Sequence, residues 1–111
     1  MTLDPHIDVH LTDDTVEFAF TVENTGSDHV ELEFRSGQTA DVVVYADGEE
    51  VWRWSDDRMF TQAIQTETIE PGESCARETV WDDPKPGEYT AEASLEATNE
   101  SIEEETTFEV P

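Results

Sequence analysis

The strictest constraint on this chain is a period of two. Val16, Phe18, Phe20 and Val22 alternate with Glu17, Ala19, Thr21 and Glu23. Val30, Leu32 and Phe34 alternate with Glu31, Glu33 and Arg35, and Tyr89, Ala91, Ala93 and Leu95 alternate with Thr90, Glu92, Ser94 and Glu96. Successive side chains of a strand point to opposite faces, so each run is apolar on one side and mostly acidic on the other, as half-buried antiparallel strands are. Ile7, Val9 and Leu11 make a shorter strand in front, and Phe108 and Val110 end the chain in the same way. No segment carries a convincing helical period. The polar stretch 97–105 reads as a loop or a short helical turn. Turn residues separate the runs: Asn24-Thr25-Gly26-Ser27, Ser36-Gly37, Asp47-Gly48, Pro71-Gly72 and Pro84-Lys85-Pro86-Gly87. The pattern predicts an all-β, immunoglobulin-like antiparallel β-sandwich of two sheets with about 7–9 strands. Gly87-Glu88-Tyr89 fits the tyrosine that such sandwiches place near the start of a late strand.

Charge is the one property that argues against folding. There are 29 Asp and Glu against 5 Lys and Arg, a formal net charge of −24. High net charge with modest hydrophobicity marks chains that stay disordered. Here the acids are interleaved with apolar residues instead of gathered in a tail, which favours a folded protein in concentrated salt. At about 1 M salt the screening length is ~3 Å, so surface carboxylates barely repel one another. The expected setting is a halophilic, haloarchaeal cytosol. Such a surface excludes nucleic acid, which needs a basic footprint, and an anionic membrane for the same reason.

The 111 residues suit a single domain, 1–111. No apolar run reaches the ~18 residues of a membrane span. The start Met1-Thr2-Leu3-Asp4-Pro5-His6 has neither a basic region nor an apolar stretch, so a cytoplasmic location is expected. Cys75 is the single cysteine, so no internal disulfide forms. It reads as a small residue near a strand start, because a reactive thiol needs a cationic neighbour and Arg77 is only a weak pointer.

Chemistry-bearing patterns are sparse. His6-x-Asp8-x-His10 places three side chains on one strand face, and imidazole with carboxylate holds divalent metals. A polar outer face, with Ile7, Val9 and Leu11 turned inward, accounts for it more simply, so no metal is assigned. Asp56-Asp57 and Asp82-Asp83 are too ordinary among so many acids to mark acid–base catalysis. Nucleophile-elbow and phosphate-loop patterns are missing. The chain is therefore expected to be no enzyme and to need no cofactor.

The central segment 36–62 differs from the rest. Asp47-Gly48 is a strong hairpin signal. A two-residue loop there pairs Val44 with Val51 and Val43 with Trp52. Val42, Val44, Val51 and Arg53 then share one face, and Val43, Tyr45, Trp52 and Trp54 share the other. Both faces are substantially apolar, so one is core and the other is covered by the chain or offered to a partner. In the covered case Met59 and Phe60 fold back over it, with Asp56-Asp57-Arg58 as a polar tip. In the offered case the loop and hairpin face form a protein-binding surface, since interface cores favour aromatics, Met and Arg.

Several blocks of this segment and its flanks resemble the BsuPI family of intracellular proteinase inhibitors. They are Leu32-Glu-Phe-Arg-Ser-Gly-Gln38-x-x-Asp41, Val51-Trp-Arg-Trp-Ser55, Phe60-Thr-Gln-Ala63, Pro71-Gly-Glu73 and Gly87-x-Tyr89, preceded by Phe20-x-Val-x-Asn24. Where the family often has aromatics beside the Asp41 position, Ala40 and Val42 stand here. The resemblance implies a cytoplasmic β-sandwich, in a family whose founding member inhibits an intracellular serine protease; our own expectation for the partner is a protein, an intracellular subtilisin-like serine protease. The resemblance carries over no reactive residue. Our own expectation for the binding loop is Asp56, Asp57, Arg58 and Met59, with Arg58 or Met59 as the inserted side chain. Trp52, Arg53, Trp54, Phe60 and Gln62 support it. The Trp81–Gly87 loop is the alternative site. The alternative function is a non-inhibitory immunoglobulin-like interaction or assembly module.

Overall fold

A computed structural model describes residues 3–56 and 58–111. Its strands are β1 (Leu3–Leu11), β2 (Thr15–Asn24), β3 (Val30–Phe34), β4 (Ala40–Ala46), β5 (Glu49–Arg53), β6 (Gln65–Ile69), β7 (Ser74–Asp82), β8 (Gly87–Leu95) and β9 (Ile102–Val110). Every strand pair is antiparallel. One layer has the order β1-β2-β7, the other β5-β4-β8-β9, and β3 pairs with β6 in a separate two-stranded ladder. An isolated bridge from Phe34 to Ala97 links that ladder to the chain beyond β8.

The alternating apolar residues meet between the layers. Val16, Phe18, Phe20 and Val22 of β2 are buried with Val42 and Val44 of β4 and with Ala91, Ala93 and Leu95 of β8. A run of rings crosses the interface. Phe18 stacks on Trp52 at 6.1 Å and meets Phe108 edge-on at 5.6 Å. Trp52 stacks on Trp81 at 5.8 Å, and Trp81 meets Tyr89 edge-on at 5.1 Å. Each such pair adds about 0.5–1.5 kcal/mol beyond its area burial. Tyr89 Oη donates to the Lys85 carbonyl at 2.6 Å, the upstream backbone bond expected of a tyrosine corner. Asn24, fully buried, closes the turn after β2: its Nδ2 donates to the Asp28 and Ile69 carbonyls and its Oδ1 accepts from Gly26 N–H.

Two local expectations are corrected. The stretch 97–105 is neither wholly loop nor helical, because Ile102–Glu105 pair with β8 and Ile102 is buried opposite Leu95. Backbone pairing outweighs the weak strand propensity of three consecutive glutamates. The central hairpin has the expected turn, since Asp47 and Gly48 both take positive φ (52° and 83°) and Ala46 pairs with Glu49. Its register then shifts, so that Val44 pairs with Trp52 and Val43 with Arg53. Val51 is the extra residue of a bulge and is exposed. A one-residue slip exchanges faces. Trp52 and Trp54 therefore join Val42 and Val44 on the inner side, while Arg53 shares the opposite face with Asp41 and Val43, both buried.

Candidate functional site

The bulge sets up the site by placing Arg53 over Asp41. The Asp41 carboxylate is almost wholly buried, with 4% of its side-chain surface exposed. It accepts hydrogen bonds from its neighbour Val42 N–H at 2.9 Å, from Ser55 N–H at 3.1 Å, from Ser55 Oγ at 2.7 Å and from Arg53 Nη1 at 3.3 Å. A buried carboxylate is tolerated only when paired and bonded in this way. Arg53 also forks onto Glu50, with Nη2 to Oε1 at 2.8 Å, and its guanidinium is held protonated above its usual range chiefly by that bond. The outcome is mechanical: Asp41 fixes the point where the chain leaves β5.

A second tie holds the far limb of the loop. Gly37 N–H donates to the Thr61 carbonyl at 2.8 Å. A Cβ at Gly37 lies 2.7 Å from Thr61 Oγ1 and 3.2 Å from Thr61 N, so the approach depends on glycine. Between these ties the chain turns sharply, with Asp56 N–H bonded to the Arg53 carbonyl and Arg58 N–H to the Ser55 carbonyl. Phe60 packs on Trp54 with ring centroids 5.7 Å apart, and the Arg58 guanidinium lies over the same indole, 4.5 Å from its centroid.

The expected loop residues thus separate. Asp56 is exposed, and Asp57 lies outside the described residues. Arg58 is folded back on Trp54, its Nε donating to the Trp54 carbonyl at 2.7 Å. Met59 is 99% exposed, so the expectation that it folds back over the hairpin is corrected; Phe60 alone does so. Gln62 is exposed, Trp54 is partly buried against the core, and Trp52 is inside the ring stack. Ile64, 72% exposed on the same loop, was not among the expected residues. Asp41 was recognised only as part of a block, because nothing in the spacing shows that Ser-Gly-Gln-x-x-Asp and Trp-Arg-Trp-Ser meet. The Trp81–Gly87 loop offers Asp82, Asp83, Lys85 and Pro86 to solvent, with Trp81 buried.

The other candidates are accounted for structurally. His6, Asp8 and His10 lie exposed along β1, with His6 Nε2 3.2 Å from Asp8 Oδ1. Among the described residues no group of three or more His, Cys, Asp or Glu is placed to hold a metal ion. Cys75 is buried with Arg77 Nη1 3.3 Å from its sulfur. Burial outweighs that cation and pushes the thiol up to about 11, so it is not an activated nucleophile.

A family model described as BsuPI, intracellular proteinase inhibitor, matches residues 3–100. No curated protein matches the chain. Among solved structures it is similar to a β-glucosidase from Kluyveromyces marxianus in complex with glucose, at 19% identity and a TM-score of 0.54, over 99% of this chain and 14% of that one. It is similar to a β-glucosidase from Erythrobacter marinus at 14% identity and a TM-score of 0.52, over 96% of this chain and 15% of that one. A CARDB domain from Pyrococcus furiosus, solved with di-metal ions, matches at 20% identity and a TM-score of 0.50, over 97% of this chain and 84% of that one. At these identities the likeness shows the fold alone, and the chain spans only a small part of the β-glucosidases.

Proposed function

The chain belongs to the BsuPI family of intracellular proteinase inhibitors, and from that premise we propose that it inhibits a protease by seating the loop Asp56–Met59 in the protease cleft, with Met59 as the inserted side chain. One observation carries the choice: Met59 is almost fully exposed while both limbs beside it are tied down. A long apolar side chain in water is available for burial in a partner, whereas Arg58 must first leave Trp54. Preorganised limbs lower the ordering cost of binding. Ile64 widens the apolar contact on the same loop. The partner in this reading is an intracellular subtilisin-like serine protease, the whole chain acts as one sandwich module, and neither metal nor cofactor takes part.

The test is a titration of the purified chain against a subtilisin-type serine protease in molar KCl, with peptide hydrolysis as readout. Stoichiometric loss of activity at low micromolar inhibitor, weakened by Met59→Ala, supports the reading. Full protease activity at that concentration, with the chain folded, sinks it and leaves the non-inhibitory interaction module.

A further inference from the structure

Trp54 touches the residues on both sides of Met59. On the N-terminal side, Arg58 Nε donates to the Trp54 carbonyl at 2.7 Å and the guanidinium lies over the indole. On the C-terminal side, Phe60 packs against that same indole at 5.7 Å. Trp54 is itself anchored, since its N–H donates to the Val42 carbonyl at 2.9 Å and its ring packs on the core. One residue past Phe60, the Thr61 carbonyl accepts from Gly37 N–H. The two flanks of Met59 are therefore joined through Trp54, half-buried against the core, as well as through the peptide itself.

We propose that the Met59–Phe60 peptide is a cleavable and resealable site, and that Trp54 is the positioning residue that keeps the two cut ends together. The proposal rests on reading this loop as protease-binding, and it names the partner more narrowly. The target protease has a primary pocket for a long, unbranched apolar side chain. In such enzymes the residue filling that pocket carries the carbonyl that is attacked, which places the reaction at the bond after Met59. Cleavage adds one water: the C–N bond breaks, leaving a Met59 carboxylate and a Phe60 ammonium. Resealing joins the same two groups and releases that water.

In an ordinary substrate the cut ends diffuse apart and hydrolysis runs to completion. Here the amine leaving with Phe60 stays on Trp54, and the acyl side stays on Trp54 through Arg58. Tethered reactants have a high effective concentration, so the reverse attack competes with release. A protease that cuts this bond is left holding a complex that closes again. That makes an inhibitor out of a loop that is chemically a substrate.

The experiment incubates the full chain with catalytic amounts of a subtilisin-type serine protease in molar KCl and follows the intact and cut forms by mass spectrometry. The expected result is a single cut between Met59 and Phe60, reaching a stable mixture that is the same whether approached from intact or from fully cut chain. Trp54→Ala should abolish the plateau, run to complete cleavage about tenfold faster or more, and lose inhibition with time. Arg58→Ala and Phe60→Ala, each removing one tether without opening the sandwich, should lie between, and circular dichroism checks that all three stay folded. Wild-type chain that inhibits but is never cut at this bond overturns the proposal while leaving the loop reading intact. A folded Trp54→Ala or Arg58→Ala chain with the wild-type plateau overturns it equally. Inhibition unchanged by Met59→Ala instead removes the loop reading on which it rests.

Discussion

Asp41 and Met59 stand at the two ends of one short structure and have opposite surroundings. Asp41 is buried with its carboxylate bonded on every side, while Met59 touches almost nothing. Asp41, Arg53, Ser55, Gly37 and Thr61 all come from the family blocks, and all of them tie chain to chain. Met59 sits between the blocks and ties nothing. The contrast teaches that the recognisable sequence records the mounting of the loop, and that the tip is free to differ because no contact within the fold constrains it. Loops carry recognition on rigid scaffolds for this reason.

The contrast breaks first if Asp41 proves dispensable. Asp41→Ala leaves Arg53 without its buried partner and leaves Ser55 N–H and Oγ unsatisfied. Arg53 is part-exposed and keeps Glu50, so the cost falls on the donors that lose their buried acceptor, about 1–3 kcal/mol each. Urea denaturation in molar KCl measures this, and a loss under 1 kcal/mol would show the network to be ornamental.

Cys75 tests the other side of the sandwich, where a buried thiol between Glu67 and Arg77 is held neutral chiefly by burial. Its thiol, ordinarily near 9.0, is pushed up to about 11 in the fold, first by burial. As pH rises, the unfolded chain loses this proton before the folded one does. Stability from the buried neutral thiol is fully present below about 9 and falls between 9 and 11. Cys75→Ala should show a smaller decline over that window. Equal slopes for the two chains would mean that the thiol is not held neutral by the fold.

How much of this was legible in the residues follows the same division. β2, β3 and β8 announce themselves by alternation because their inward positions are all apolar. β7 does not, since its inward positions are Cys75, Arg77, Thr79 and Trp81, paired with Val22, Phe20, Phe18 and Val16. Alternation there is masked by Arg77 reaching Glu67 and Thr39, and by Thr79, whose hydroxyl is buried with no partner among the described residues. The bulge at Val51 left no mark either, because Glu49, Glu50 and Val51 carry no turn chemistry. It exchanged the faces of Trp52 and Arg53, and with them the answer to what covers the hairpin. The exposed loop was visible as composition, but separating Met59 from Arg58 required the position of Trp54.

Gly37→Ala sharpens the contrast at intermediate cost. The new methyl meets Thr61 Oγ1 at 2.7 Å and the Thr61 backbone nitrogen at 3.2 Å. The far limb of the loop must move, at about 1–2 kcal/mol by the usual cost of overpacking. The sandwich core is not involved, so the loss should appear in the loop first. Limited proteolysis between Trp54 and Gln65 should accelerate while the ring-stack near-ultraviolet circular dichroism stays unchanged. A uniform loosening of both signals would mean that the loop and the core unfold as one.

The smallest expected change in stability is at the tip itself. Met59→Ala removes a side chain with almost no contacts, so the urea midpoint should correspond to a shift within about 0.5 kcal/mol. Protease inhibition should nevertheless fall at least about tenfold, because the energy of that side chain is realised only in the complex. Peroxide offers the same test without a mutation. Met59 is one of two methionines, the other being Met1. Oxidation turns the exposed thioether into a polar sulfoxide. It should weaken inhibition without lowering stability, and Met59→Leu should resist the loss. A large stability loss from either change would place Met59 inside the fold and erase the distinction between mounting and tip.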